Sequence, residues 1–225
     1  MDTRSLIIAR ASALLADSAD GDISTRAVCE AAGVTQPVLY RLFGDKDGLL
    51  AAVADAAWDS YLAGKRQSEA SDDPIADVRA GWDAHTAFAL QNPHAYRLVF
   101  ASPLGSRIAA AHEAMRLLTD VLQRVAASGR LVMAPDAAAR IVMSANSGVA
   151  LTLLLRPETL GHADASAEVR EAVLRAILIE DDVDGGAAHR SAAAIMLSAA
   201  LDEPARAFSP AESALMREWL DRFRG

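Results

Sequence analysis

The chain has one cysteine, Cys29, in 225 residues. No internal disulfide can form, and a reducing compartment is the expectation. A lone thiol also supplies no metal-ligand set, so Cys29 reads as a small buried hydrophobe. Aromatic residues make up only 5%, and no stretch alternates as strands do, which leaves little from which to build a sandwich or barrel. Positive charge is scarce as well, with 22 Lys and Arg against 30 Asp and Glu and a formal net charge of −8. That balance argues against indiscriminate adhesion to nucleic acid, although a local face can still bind it. The longest uncharged stretch, Ile141 to Leu155, is shorter than the roughly 20 residues of a membrane helix. The apolar N-terminal residues are preceded by Asp2 and broken by Arg10, unlike a secretory signal. A soluble cytoplasmic protein with no membrane association is expected.

Catalytic signatures are missing too. The sequence contains no HExxH, GxSxG or phosphate-cradling glycine loop. His85, His94, His112, His162 and His189 are scattered, without the paired spacing of metal sites. EDDVDG, Glu180 to Gly185, opens like a calcium loop, but the twelfth position is Ser191 rather than glutamate. No enzyme activity, catalytic residue, metal or cofactor is expected.

What remains is material for helices. Hydrophobic residues make up 52%, with alanine and leucine dominant, a mixture that favours the α state. Leu6, Ile7, Ala11, Leu14 and Leu15 lie at helical spacing within residues 4–16. Ser24 or Thr25 caps a short helix to about Ala31, and Gly33 closes it in the left-handed conformation. Thr35 is the next N-cap, followed by a helix over Gln36 to Phe43 with Pro37 in its first turn. Gly44 ends that helix, and Asp45 caps a long one running to about Gln67.

SDDP, Ser71 to Pro74, marks the clearest boundary and opens a helix over about 75–91. Asn92-Pro93 and Ser102-Pro103 interrupt the chain, and further helices are expected near 106–128, 136–155, 166–179 and 188–201. Ser209-Pro210-Ala211-Glu212 matches a capping box for a last helix. The fold class is all-α, with about nine to eleven helices.

The two short helices joined through Gly33-Val34 form a helix-turn-helix candidate. Val28, Ala32, Val34, Leu39 and Leu42 can pack inside, leaving Thr35, Gln36, Val38, Tyr40 and Arg41 nearer the surface. A second helix of this kind can enter a major groove about 12 Å wide with its N-terminal residues leading.

Residues 24–54, STRAVCEAAGVTQPVLYRLFGDKDGLLAAVA, resemble the DNA-binding segment of the TetR family of one-component transcriptional regulators. The likeness rests on A-G-V-T-x-x-x-L-Y-R-x-F and on the charged turn before a helix containing Leu49-Leu50, and it spans about fifty residues. More loosely, Trp82 to Phe100 (WDAHTAFALQNPHAYRLVF) resembles one branch of TetR-type C-terminal domains. The resemblance implies a homodimer on double-stranded operator DNA, a helical ligand-binding and dimerisation domain, and repression relieved by a small-molecule effector. The domains expected are 1–50 for DNA binding, with the connecting helix continuing to about 68, and 75–225 for ligand binding and dimerisation.

Carried over position by position, Tyr40 matches the family's backbone-contacting tyrosine, and Lys46 sits where charge and helix dipole both favour an anion. Thr25, at a helix start, can offer hydroxyl and N–H to a phosphate. Gln36 is the leading base reader, because its amide can pair bidentately with adenine. Thr35, Pro37 and Val38 are placed to touch base edges or a thymine methyl, and Arg41 to reach phosphate or pair with an acid.

Two features run against a strong DNA surface. Residues 1–50 carry five basic side chains (Arg4, Arg10, Arg26, Arg41, Lys46) and seven acidic ones (Asp2, Asp17, Asp20, Asp22, Glu30, Asp45, Asp47), a net of −2. Pro37 stands where such proteins often carry a small or basic residue. A small-molecule-binding protein that has lost operator recognition is therefore the alternative.

For the ligand, the expected pocket set is Trp82, His85, Phe88, Tyr96, Phe100, Met115, Met143, Asn146 and Ser147. Aromatic and thioether walls with a few orienting polar groups suit a mainly hydrophobic compound. Apolar surface around Val142 to Leu154, and the helices after Ser166, are the expected sources of the dimer interface.

Overall fold

The computed structural model describes residues 2–18, 21–67, 70–102, 109–158, 164–179, 186–201 and 208–222. The EDDVDG segment and His162 lie outside them. The described residues form eleven α-helices and no strand, so the chain is all-α as expected. In order they are α1 (Thr3–Ala16), α2 (Thr25–Ala32), α3 (Gln36–Phe43), α4 (Lys46–Gln67), α5 (Pro74–Gln91) and α6 (Pro93–Phe100). There follow α7 (Ala109–Ala127), α8 (Pro135–Leu155), α9 (Ala165–Ile177), α10 (Gly186–Ala200) and α11 (Pro210–Asp221).

The helix starts are built as their capping residues dictate. Asp2 accepts from the N–H of Ser5 at 2.7 Å, and Ser24 from that of Ala27 at 3.1 Å, each satisfying a first-turn donor that has no intrahelical partner. Asp73 accepts from Ile75 and Ala76 at the head of α5. Ser209 and Glu212 complete the reciprocal capping box of α11. Thr35 occupies the N-cap of α3 with extended backbone, yet its hydroxyl makes no capping bond.

Contacts divide the chain into two compact units. One comprises Met1–Glu69, Ala87–Ala114 and Ala150–Thr159; the other comprises Ala70–Thr86, Met115–Val149 and Leu160–Gly225. Three of the divisions fall inside helices, in α5, α7 and α8.

In the first unit, Ile7, Ala11 and Leu15 of α1 close over Val28, Leu39, Phe43 and Leu49 in a continuous apolar core. Leu98 of α6 packs against the edge of that core. Further along α4, the indole of Trp58 is fully buried. Its ring centroid lies 4.6 Å from Phe88, 6.0 Å from Tyr96 and 5.8 Å from Phe100.

The second unit buries Leu122, Leu131, Val142, Leu174, Ile177 and Ile195. An antiparallel bridge joins Leu131 to Leu178.

Helix α8 corrects one expectation. Its 21 residues make it long and apolar enough, by length and composition, to cross a membrane. The uncharged run understated it because Asp136 and Arg140 lie near its start. What marks it as core is the pattern of Ala138, Ala139, Val142 and Val149 buried along one side, with Asn146 hydrogen-bonded among them.

Candidate nucleic-acid interface

The turn between α2 and α3 is set by Gly33, whose φ of +65° is available at little cost only without a Cβ. The N–H of Val34 then bonds to the carbonyl of Cys29 at 3.0 Å, closing α2. Helix α3 is eight residues long, and Leu39 and Phe43 turn inward from it. The same periodicity leaves Thr35, Gln36, Pro37, Tyr40 and Arg41 exposed, with Val38 half-buried beside them. Val28, Ala32 and Leu39 are buried as expected, while Val34 and Leu42 are partly buried against the same core.

The next turn is tighter. Asp45 accepts from the N–H of Gly48 across the first turn of α4. A Cβ added at Gly48 would lie 2.0 Å from the carbonyl oxygen of Phe43, so only glycine fits there. Lys46, half-buried at the start of α4, is thereby held close to the end of α3.

Two of the expected phosphate-binding groups lie together. The hydroxyls of Thr25 and Tyr40, fifteen residues apart in sequence, lie 3.4 Å from each other, and Tyr40 is 41% exposed despite its size. Two hydroxyls at that spacing can share one phosphate, with the start of α2 beside them adding its unpaired N–H groups. Lys46 engages Asp22, from the turn before α2, in an ion pair. Arg4 does not join this face: its guanidinium stacks over the Phe43 ring, 5.0 Å from the centroid.

The residues expected to line a pocket fall into two groups, one in each unit. Phe88, Tyr96 and Phe100 gather around Trp58, with Tyr61 stacked on Phe88 at 4.6 Å. The sequence marks Trp58 and Tyr61 only by their i, i+3 spacing on α4, which signals a shared face. Lys65, one turn further, lies 5.1 Å over the Tyr61 ring. Burial pushes its ammonium down to about 8 and the Tyr61 phenol upward.

In the second unit, Trp82, His85, Asn146 and Ser147 are buried. Asn146 Nδ2 donates to the carbonyl of Trp82 at 3.1 Å, and its Oδ1 accepts from Thr86 Oγ1 at 3.0 Å. The Trp82 indole N–H donates to Ser166 Oγ at 3.0 Å. Nothing local in the sequence marks Thr86 or Ser166, because their partners lie 60 and 84 residues away. The hydroxyl of Ser147 is buried with no hydrogen-bond partner. Met115 and Met143 are half-buried on α7 and α8.

Ion pairs tie α5 to α9 beside this polar seam. Arg79 grips both oxygens of Glu171, at 3.0 and 2.9 Å, and Arg170 spans Glu171 and Asp83. The Arg79 guanidinium, aided by Arg170, holds the Glu171 carboxyl down at about 2. No cluster of three or more His, Cys, Asp or Glu able to hold a metal occurs among the described residues.

The sequence matches two family models: bacterial regulatory proteins of the tetR family over residues 7–53, and the tetracyclin repressor-like C-terminal domain over residues 78–219. Comparison with curated proteins gives no match. Among solved structures, full-length native TylP, a tetR regulator from Streptomyces fradiae, aligns over 97% of both chains at 20% identity with a TM-score of 0.55. The fatty acid degradation regulator FadR from Bacillus halodurans aligns over 78% of this chain and 94% of its own, at 15% identity and TM-score 0.61. The TetR family transcriptional regulator PfmR from Thermus thermophilus covers 75% of this chain and 97% of its own, at 21% identity and TM-score 0.53. At these identities the likeness concerns the fold.

Proposed function

The chain belongs to the TetR family of bacterial transcriptional regulators, DNA-binding proteins that are not enzymes, and from that premise we propose that it is a repressor. It binds a palindromic operator as a homodimer and leaves it when a small, mainly hydrophobic ligand binds. Residues 1–50, with α4 to about residue 68, form the DNA-binding domain, and residues 75–225 form the ligand-binding and dimerisation domain.

The observation that carries this reading is the two-sidedness of α3. Leu39 and Phe43 are buried, while Thr35, Gln36, Pro37, Tyr40 and Arg41, on or capping that eight-residue helix, face solvent. Gln36 and Thr35 read base edges at the helix tip; Thr25, Tyr40 and Lys46 hold the backbone.

One such helix makes too few base contacts, each worth about 1–3 kcal/mol, to find a site unaided, so two copies are needed. Exposed apolar side chains on the later helices, Ile141, Leu197, Leu215 and Trp219, support a twofold interface there. Helix α6 gives ligand occupancy a physical route to the DNA-binding core, since Tyr96 and Phe100 lie in the aromatic cluster and Leu98 packs on that core.

Selecting bound duplexes from a random pool tests the proposal, with a palindromic consensus expected. Tyr40→Ala and Lys46→Ala should each weaken salt-sensitive binding to the selected duplex, and unchanged affinity in both rejects the assigned contacts. The module's net charge of −2 favours a second reading, a ligand-binding protein without operator recognition; ligand binding with no selected sequence would support it.

A further inference from the structure

The turn between α1 and α2 is more elaborate than a connection of its length requires. Ser18 Oγ accepts from the N–H groups of Gly21 and Asp22, both at 3.1 Å, and donates to the carbonyl of Asp22 at 2.8 Å. The N–H of Ile23 donates to Asp22 Oδ1 at 2.8 Å. The carboxylate is therefore aimed by the backbone around it, and that same Oδ1 pairs with Lys46 Nζ. Behind the turn stands α6, close enough that a Cβ on Gly21 would lie 2.9 Å from His94 Nδ1. His94 is itself hydrogen-bonded to Arg97 at 2.7 Å. Neither member of the ion pair is deeply buried: the side chains of Lys46 and Asp22 are 38% and 60% exposed.

A carboxylate oxygen and a phosphate oxygen offer an ammonium the same charge and the same acceptor. We infer that Asp22 is a built-in competitor of the DNA backbone, occupying Lys46 in the free protein and yielding it when a phosphate arrives. This rests on the assignment of Lys46 to phosphate contact. Exchange of one anion for another returns little net attraction, so Asp22 withholds most of what Lys46 would otherwise add to binding. An affinity determinant thus lies outside the recognition helix, in a turn that contacts α6.

Exposed ion pairs are weak, so the effect is severalfold. Asp22→Asn keeps the size of the side chain and an oxygen for the Ile23 N–H while removing the charge; Asp22→Ser is the second variant. Binding of a fluorescein-labelled duplex of mixed sequence, about 40 base pairs long and so wider than the two half-sites one helical turn apart that a dimer would span, is followed by anisotropy across a sodium chloride series. The full-length protein and its Asp22→Asn, Asp22→Ser, Lys46→Ala and Asp22→Asn/Lys46→Ala variants are compared, each checked for an unchanged melting profile.

Both Asp22 variants should bind about three- to tenfold tighter at low salt. The slope of log K against log salt should steepen by about one per module. In the Lys46→Ala background the gain should vanish. An equal gain in that background would mean that Asp22 acts only as a distant negative charge, which overturns the competitor role. Unchanged binding in both Asp22 variants, with Lys46→Ala weakened, overturns it too but leaves the DNA-contact assignment standing. Unchanged affinity in Lys46→Ala alone removes the premise and the inference together.

Discussion

The recognition module and the polar seam of the second unit use hydrogen-bonding side chains in opposite senses. Around α2 and α3 the core is apolar and the polar groups of Thr35, Gln36 and Tyr40 stand outside it. In the seam, Thr86, Asn146 and the Trp82 indole are turned inward, where each bond replaces contact with water that folding has removed. An outward polar group can change with little effect on folding. An inward one binds identity to stability, because its abandoned partner stays buried. Function and folding are therefore separable in the first region and fused in the second.

An apolar reference sets the scale for testing that contrast. Trp58 is fully buried, and Trp58→Ala should cost about 3–5 kcal/mol in urea unfolding; a loss below about 1 kcal/mol would mean the aromatic cluster is not packed as described. Next in size is the seam. Asn146→Ala takes its side-chain donor from the Trp82 carbonyl and leaves Thr86 Oγ1 only the longer 3.5 Å contact with Ser166 Oγ, and thermal or urea melts should register a loss of about 1–3 kcal/mol.

A smaller effect is expected from the ion pairs flanking the seam. Glu171 is held at about 2, below its ordinary 4.5. Its stabilising contribution is complete above about pH 4.5 and is lost as pH falls toward 2. With Glu171 about a third exposed, solvent screening limits that contribution to about 1 kcal/mol. Glu171→Gln should flatten the fall in melting temperature between about pH 5 and pH 3; an unaltered acid profile would assign that fall to other carboxylates. The smallest change in stability belongs to the module: Gln36→Ala should unfold within about 0.5 kcal/mol of the parent. If Gln36 reads a base, the same variant should lose about 1–3 kcal/mol of affinity for a selected duplex. A large loss of stability there would erase the contrast between the regions.

The two regions also differ in how openly the sequence announced them. Helix ends were legible because they are local. Ser24, Asp73-Pro74 and Ser209-Pro210-Glu212 act within a single turn of themselves, and each opens a helix where expected. The outward face of α3 was legible for a related reason, since an eight-residue helix pinned by Leu39 and Phe43 leaves few choices for the remainder. Long-range partnership was not. Arg79 meets Glu171 across 92 residues and Thr86 meets Asn146 across 60; periodicity says which face of a helix is apolar, not which helix it meets. Thus Trp82 and Phe88, within two turns of one helix, end in different clusters, and Trp58 emerges as a hub only in three dimensions. The charge deficit of the module was countable in sequence, but the engagement of Lys46 by Asp22 was not.

The turn at Gly48, where the backbone of α4 passes so close to the Phe43 carbonyl that no methyl group would fit, has a calorimetric consequence. A segment locked in place ahead of its target has no coil to organise on arrival, so complex formation by this module should lack the heat-capacity decrement of a peptide that folds as it docks. Whatever decrement titration calorimetry records should scale with the contact area alone, and its enthalpy should change smoothly with temperature up to the onset of melting.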